Sequence, residues 1–322
     1  MMMNKALHYK DICLIPTYSE LKTRKDADVS VNFLGFKFKL PIIPSNMICV
    51  IDENKAEWLS ENNYFYIMHR FGVDNYDFVK KNQHLKTISI SVGVNQNDKE
   101  ILHKIGQDLR GLRIDFITID VAHGDSFLVK EMIQYIKDLQ FESKIIAGNV
   151  CTIDGYRHLK NWGADAVKVG IGGGSACSTK NKTGFTMPMY SAIKQVCDSD
   201  CFNPETPIIA DGGIREHADI VKAIHAGADM VMAGGIFSRC IDSPAEVIDG
   251  YKVYFGSASQ YNKDEYRNIE GIKRTLDLDM MTYSDKLIEI EQDLQSAVSY
   301  SGGKNLKDIR NTASLAVTNW EV

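Results

Sequence analysis

Short apolar runs rich in β-forming residues return along the chain at residues 41–45, 64–68, 87–92, 115–120, 144–149, 165–170, 207–211 and 229–233, each bounded by turn residues. This eightfold recurrence restricts the possible folds more than any other feature. The runs start roughly twenty to thirty residues apart, with about forty between the sixth and the seventh, so each interval has room for a crossover helix. Ile208-Ile209-Ala210 and Val231-Met232-Ala233 are apolar at consecutive positions, as strands must be when helices cover one side and a packed interior the other. The intervals carry helical spacing: Ala56 and Trp58-Leu59 in 54–62, and Phe127, Leu128, Met132, Ile133, Ile136 and Leu139 in 127–139. Gly-Ala-Asp precedes the sixth and eighth runs, at 163–165 and 227–229, where glycine can close a helix and aspartate open a strand. These features predict an α/β chain folded as a closed (β/α)8 TIM barrel, one domain over residues 1–322. Beyond Gly250 the sequence predicts a charged loop at 260–274, within a flap or loop region over about 250–283, and an amphipathic C-terminal helix at 284–299.

Composition narrows the partners. A chain of 322 residues with 44% hydrophobic content buries a core without staples, and a net charge of −5 offers no overall field to recruit nucleic acid. The seven cysteines are odd in number and scattered, and the first ten residues carry no long apolar run, which together point to a reducing cytoplasm. No stretch reaches the ~18 to 20 apolar residues that span a bilayer, so no membrane partner is expected. Cys197 and Cys201 have a metal-like spacing, but neither a second cysteine pair nor a histidine lies near them, which argues against zinc.

In a barrel of this kind the working groups stand at the carboxyl ends of the strands. There the chain has Asp211-Gly212-Gly213 and Ala233-Gly234-Gly235, two turns without Cβ atoms whose N–H groups can meet a phosphate. The sixth run enters Gly170-Ile171-Gly172-Gly173-Gly174-Ser175-Ala176-Cys177-Ser178-Thr179-Lys180, four glycines ahead of one cysteine. A thiolate held there can attack an electrophilic carbon. Asp211 can cap the turn after its strand, or its carboxylate can accept two hydrogen bonds from a ligand's hydroxyls.

The cysteine loop, with Lys182-Thr183-Gly184 after it, resembles the catalytic loop of the IMP dehydrogenase and GMP reductase family. The likeness extends in order through Tyr9-Lys10-Asp11-Ile12, Ile67-Met68-His69-Arg70, Ile119-Asp120-Val121-Ala122-His123-Gly124, Ala147-Gly148-Asn149-Val150, Asp211-Gly212-Gly213-Ile214 and Tyr254-Phe255-Gly256-Ser257-Ala258-Ser259. It covers essentially the whole chain. Dehydrogenases of the family usually carry small regulatory domains between strands two and three, where this chain has only residues 69–86, and they have Gln where it has Glu270 before Gly271. The likeness is therefore to the short reductase branch, with a dehydrogenase lacking its inserted domains as the rival. A phosphate-binding barrel of other chemistry and a silent purine sensor are the readings from other classes.

The resemblance implies reduction of GMP to IMP and ammonia by NADPH through a thioimidate on Cys177, in purine salvage. It implies that Thr179 and Glu270 relay protons to the leaving nitrogen, and that Gly213, Gly234, Gly235 and Tyr254 hold the phosphate. Gly212 with Asp211 would flank the ribose, while Gly256, Ser257, Ala258 and Arg267 would meet the purine. For NADPH it points to Arg70, Asp120, Val121 and Ala122, and to Thr23, Arg24, Ser299, Tyr300, Ser301 and Gly302 reaching in from a neighbouring subunit of a homotetramer. Potassium on the backbone carbonyls of Gly172, Gly174 and Cys177 is a further implication. Gly173 in place of the usual Pro, and Arg70 where many relatives have Lys, are departures from the family pattern.

Overall fold

The computed structural model describes residues 6–108, 111–199, 206–257, 259 and 271–317. Among these, seven short strands pair in parallel into one curled sheet, in the order Ile42–Pro44, Met230–Ala233, Ile208–Asp211, Ala166–Val169, Lys144–Val150, Phe116–Asp120, Ser89–Val92. Helices cover the outside. The chain thus adopts a TIM-barrel-like α/β fold.

Alternation along each strand divides the side chains between two cores. Ile43, Phe116, Ile146, Ala166, Ile209, Met230 and Met232 fill the interior. Ile42, Ile117, Ile145, Val167, Ile208 and Val231 pack outward beneath the helices. A hairpin of Val31–Phe33 and Phe36–Phe38 closes the amino end of the barrel, where Phe33 and Phe38 join the interior cluster and Phe65 stacks 4.7 Å from Phe116. The carboxyl end stays open.

The second expected strand differs from its siblings. Among the described residues the 64–68 run forms no ladder and meets the sheet by one bridge, Met68 to Ile90, with the Ser91 amide donating to Met68 O at 3.0 Å. Its side chains still alternate, Phe65 and Ile67 inward, Tyr66 and Met68 outward, so it fills the position of the eighth stave. The cause lies in the neighbour. Ser45 donates to Ala233 O at 2.9 Å, so positions 42 and 44 direct their amides to the 64–68 side, and Pro44 has no N–H to give.

Each Gly-Ala-Asp acts as read. Gly163 (φ +102°) and Gly227 (φ +120°) end the helices Ile153–Trp162 and His217–Ala226. Asp165 and Asp229 then accept amides at the starts of the adjoining strands, from Ile145 at 2.8 Å and Ile208 at 2.9 Å. The outer helices Glu53–Glu61 and Phe127–Asp138 and the C-terminal helix Tyr283–Tyr300 stand where the periodicity put them. One expectation is corrected: Lys273 and Arg274, read as part of a loop, open the strand Lys273–Asp277, which pairs antiparallel with Tyr251–Phe255. The strand is a solvent-facing edge, where charged side chains are at no disadvantage and apolar alternation is not required. Among the described residues no helix is long and apolar enough to cross a membrane.

Candidate active site

The strand Ala166–Val169 leaves the sheet through Gly170, whose φ of +149° carries the chain so close to the next strand that a Cβ would lie 2.1 Å from Asp211 O. Only glycine passes there. The loop turns again at Gly172 (φ +76°), closes when the Cys177 amide donates to Gly174 O at 3.2 Å, and starts the short helix Thr179–Thr183. The Cys177 thiol is half-buried, unpaired with any cysteine, and donates to Thr179 Oγ1 at 3.1 Å. It faces an open cavity of about 580 Å³ at the carboxyl end of the barrel. That volume suits a small-molecule ligand.

The far hairpin clamps this loop. Gly271 bridges Cys177, and the Ile272 amide donates to Ala176 O at 2.9 Å. Gly256 passes so near that a Cβ would stand 2.8 Å from the same carbonyl. Glu270, Arg267 and Ala258, expected at the site from sequence, lie outside the described residues.

At one end of the cavity are the two glycine turns. Gly212 and Gly213 take φ of +99° and +82°, and a Cβ on Gly234 would fall 2.4 Å from Tyr254 Oη. Tyr254 is buried, and burial raises its phenol well above the ordinary tyrosine value, so its hydroxyl stays neutral. Ser175 lies beside that hydroxyl and lines the cavity. Gly235, Gly256 and Ser257 line it too.

The floor is charged. Lys168 is 1% exposed, with Nζ 2.8 Å from Asp120 Oδ1 and 3.0 Å from Asp211 Oδ2. Asn149 Nδ2 donates to the same Asp211 oxygen at 2.8 Å. Burial alone lowers the lysine's affinity for its proton, but the charges and hydrogen bonds of Asp120 and Asp211 outweigh it and hold the ammonium above its ordinary range. Asp120 shows the converse: burial raises it, and Lys168 and then Arg70 bring it below the usual carboxylate value. Lys168, Asn149 and Ser175 were missed from sequence. A charged residue in an otherwise apolar strand, Ala166-Val167-Lys168-Val169, was the available signal for the first.

Of the residues expected to hold a nicotinamide cofactor, Arg70, Asp120, Val121 and Ala122 line the cavity. Arg70 Nε is buried and finds no hydrogen-bond acceptor among the described residues. The rest of that set gathers elsewhere, outside the cavity lining. Arg24 donates to Ser296 Oγ and Tyr300 Oη, both at 3.1 Å, and Ser299 meets Ser19 at 3.3 Å. Thr23 caps the turn holding Arg24, Ser301 donates to Val298 O, and Gly302 (φ +74°) packs against Thr17 and Tyr18. The carbonyls of Gly172, Gly174 and Cys177 belong to one turn, and Gly174 O keeps a second lone pair beyond its bond to the Cys177 amide.

Residues 6–320 match the family model described as IMP dehydrogenase / GMP reductase domain. A protein of Staphylococcus epidermidis (strain RP62A) named GMP reductase is 46% identical over 98% of this chain and 97% of its own. Proteins of the same name from Acidovorax ebreus and Delftia acidovorans are 46% and 45% identical, each over 94% of this chain and 93% of its own length.

Proposed function

The chain belongs to the IMP dehydrogenase and GMP reductase family, and on that premise we propose that it catalyses the NADPH-dependent reductive deamination of GMP to IMP. The observation that carries this reading is the Cys177 thiol, 3.1 Å from the Thr179 hydroxyl and facing a cavity lined by the glycine turns and, on its floor, by Asp120, Lys168 and Asp211.

The phosphate rests on the amides of Gly213, Gly234 and Gly235, with the neutral Tyr254 hydroxyl and Ser175 as further donors. Asp211, beside Gly212, accepts from the ribose hydroxyls. Gly256, Ser257, Ala258 and Arg267 meet the purine. Cys177 gives up its proton and its sulfur bonds to C2 of GMP; the C2–N bond breaks, and the departing amine takes a proton through Thr179 from Glu270, which precedes Gly271 in sequence. The thioimidate left on Cys177 is GMP less ammonia. Bound NADPH supplies a hydride to C2 of that adduct. The C2–S electron pair returns to Cys177 as thiolate, which regains a proton, and IMP leaves. The sum is GMP, NADPH and one proton in, IMP, ammonia and NADP+ out.

Arg70, Asp120, Val121 and Ala122 hold the nicotinamide end. Thr23, Arg24 and Ser299–Gly302 stand outside their own chain's cavity, which suits residues that complete the site of a neighbour in a homotetramer. Potassium on the Gly172, Gly174 and Cys177 carbonyls would fix the shape of the cysteine loop, and exchange of potassium for sodium should lower turnover. The six described cysteines are all free thiols, as a reducing cytoplasm would leave them.

Anaerobic mixing with GMP and NADPH tests the reading: NADPH loss and ammonia release in equal amounts are expected. NAD+ reduction dependent on IMP, without reaction of GMP, would instead assign the chain to the dehydrogenase branch.

A further inference from the structure

Lys168 is a lysine inside a barrel, and its surroundings are built to let it reach two strands. Its own strand, Ala166–Val169, and that of Asp120, Phe116–Asp120, are not neighbours; Lys144–Val150 runs between them, with Gly148 in register with both Asp120 and Lys168. A Cβ on Gly148 would fall 2.6 Å from Lys168 Cβ, so the missing side chain is the gap through which the lysine passes to Asp120. On the other side the same ammonium holds Asp211 at 3.0 Å, and Asn149, itself donating to Gly170 O at 2.8 Å, fixes the same carboxylate oxygen. One cation is thereby shared by the carboxylate at the nucleotide end of the cavity and the carboxylate at the cofactor end.

We propose that Lys168 is a positioning residue that couples the two halves of the mouth: it orients Asp211 for the substrate ribose and Asp120 for the cofactor, so that a change at one carboxylate is felt at the other. The proposal rests on the reading of the site given above. Neither ligand touches Lys168 in this scheme; it acts through the two aspartates. A lysine that merely neutralised buried charge would affect folding, and no cross-effect between the ligands would follow.

The test is equilibrium titration of the folded protein with GMP and with NADPH, each alone. Lys168→Met should weaken both by at least about ten-fold, the loss associated with one charged hydrogen bond, and Lys168→Arg should bring both back to within about three-fold of wild type. Asp120→Asn, a change at the cofactor end, should shift the affinity for GMP by at least about three-fold. A folded Lys168→Met protein that binds either ligand as wild type does overturns the proposal, as does Asp120→Asn with unaltered GMP affinity. The second arm decides alone if Lys168→Met does not fold. If the wild-type protein turns over GMP while Asp120→Asn leaves GMP affinity unaltered, only this inference fails; wild-type protein that binds neither ligand sinks the functional reading with it.

Discussion

At the scale of single residues, the proposed chemistry depends on a thiol and a hydroxyl held 3.1 Å apart. Cys177→Ala should abolish turnover while GMP affinity stays within about three-fold, because the nucleophile is lost and the phosphate and ribose contacts are not. Thr179→Ala should lower kcat about 100-fold or more, the usual loss when a proton relay is cut, and leave KM for GMP nearly constant; steady-state kinetics at saturating NADPH reads both. Gly148→Ala drives a methyl into Lys168 and should cost about 1 to 3 kcal/mol of stability by denaturant unfolding, since the clash is with a strand next door rather than with a flexible tip. The cysteine loop was legible because its glycines and thiol are contiguous. Lys168 and Asn149 were not, because what gives them meaning is the register of three strands, and register is not written in any one of them. Ser175 lies within the loop already singled out, but its value comes from Tyr254, some eighty residues away in sequence.

At the scale of elements, the barrel was readable from runs apolar at consecutive positions and the spacing between them, and Gly-Ala-Asp marked helix ends and strand starts with the correct physical cause. What escaped is where a local pattern and a neighbour's chemistry conflict: the 64–68 run reads as a strand, yet Pro44 beside it denies the ladder an amide. Lys273–Asp277 reads as a charged loop because an exposed edge carries no apolar alternation. That second strand matters for the site, since its root is clamped to the cysteine loop through the Ile272 amide and Ala176 O. Ile272→Pro removes the donor and should lower kcat by about ten-fold or more, while the melting temperature moves by only a few degrees, as one backbone bond contributes about 1 kcal/mol. Parallel melting and kinetic measurements check it; an unchanged kcat would mean that the hairpin does not help to set the thiol.

At the scale of the whole molecule, the open end of the barrel gathers groups from nearly every strand, so the site and the core share one scaffold. Stability should therefore respond to buried titratable groups close to the mouth. His69 is 4% exposed, and burial brings its imidazole down from 6.5 to about 4, against the opposing pull of backbone bonds with Phe71 and Ile51 and the charge of Asp52. The unfolded chain takes up that proton near pH 6.5 and the folded one only near pH 4. Stability from this residue is thus complete above the upper value and falls by about 3 kcal/mol as pH drops through the window. His69→Gln should flatten the decline in denaturant-derived stability between those pH values by that amount; parallel curves for the two proteins would show that His69 is not what protonates.

The central claim, that one sulfur at the barrel mouth bonds to the purine, has a direct measurement. Protein mixed with GMP and NADPH is acid-quenched during turnover, and the peptide bearing Cys177 is weighed. The account predicts that this peptide, and no other cysteine peptide, carries the mass of GMP less ammonia, and that the adduct vanishes once NADPH is in excess and GMP is spent. Turnover of GMP with every cysteine peptide unmodified throughout the time course would contradict it.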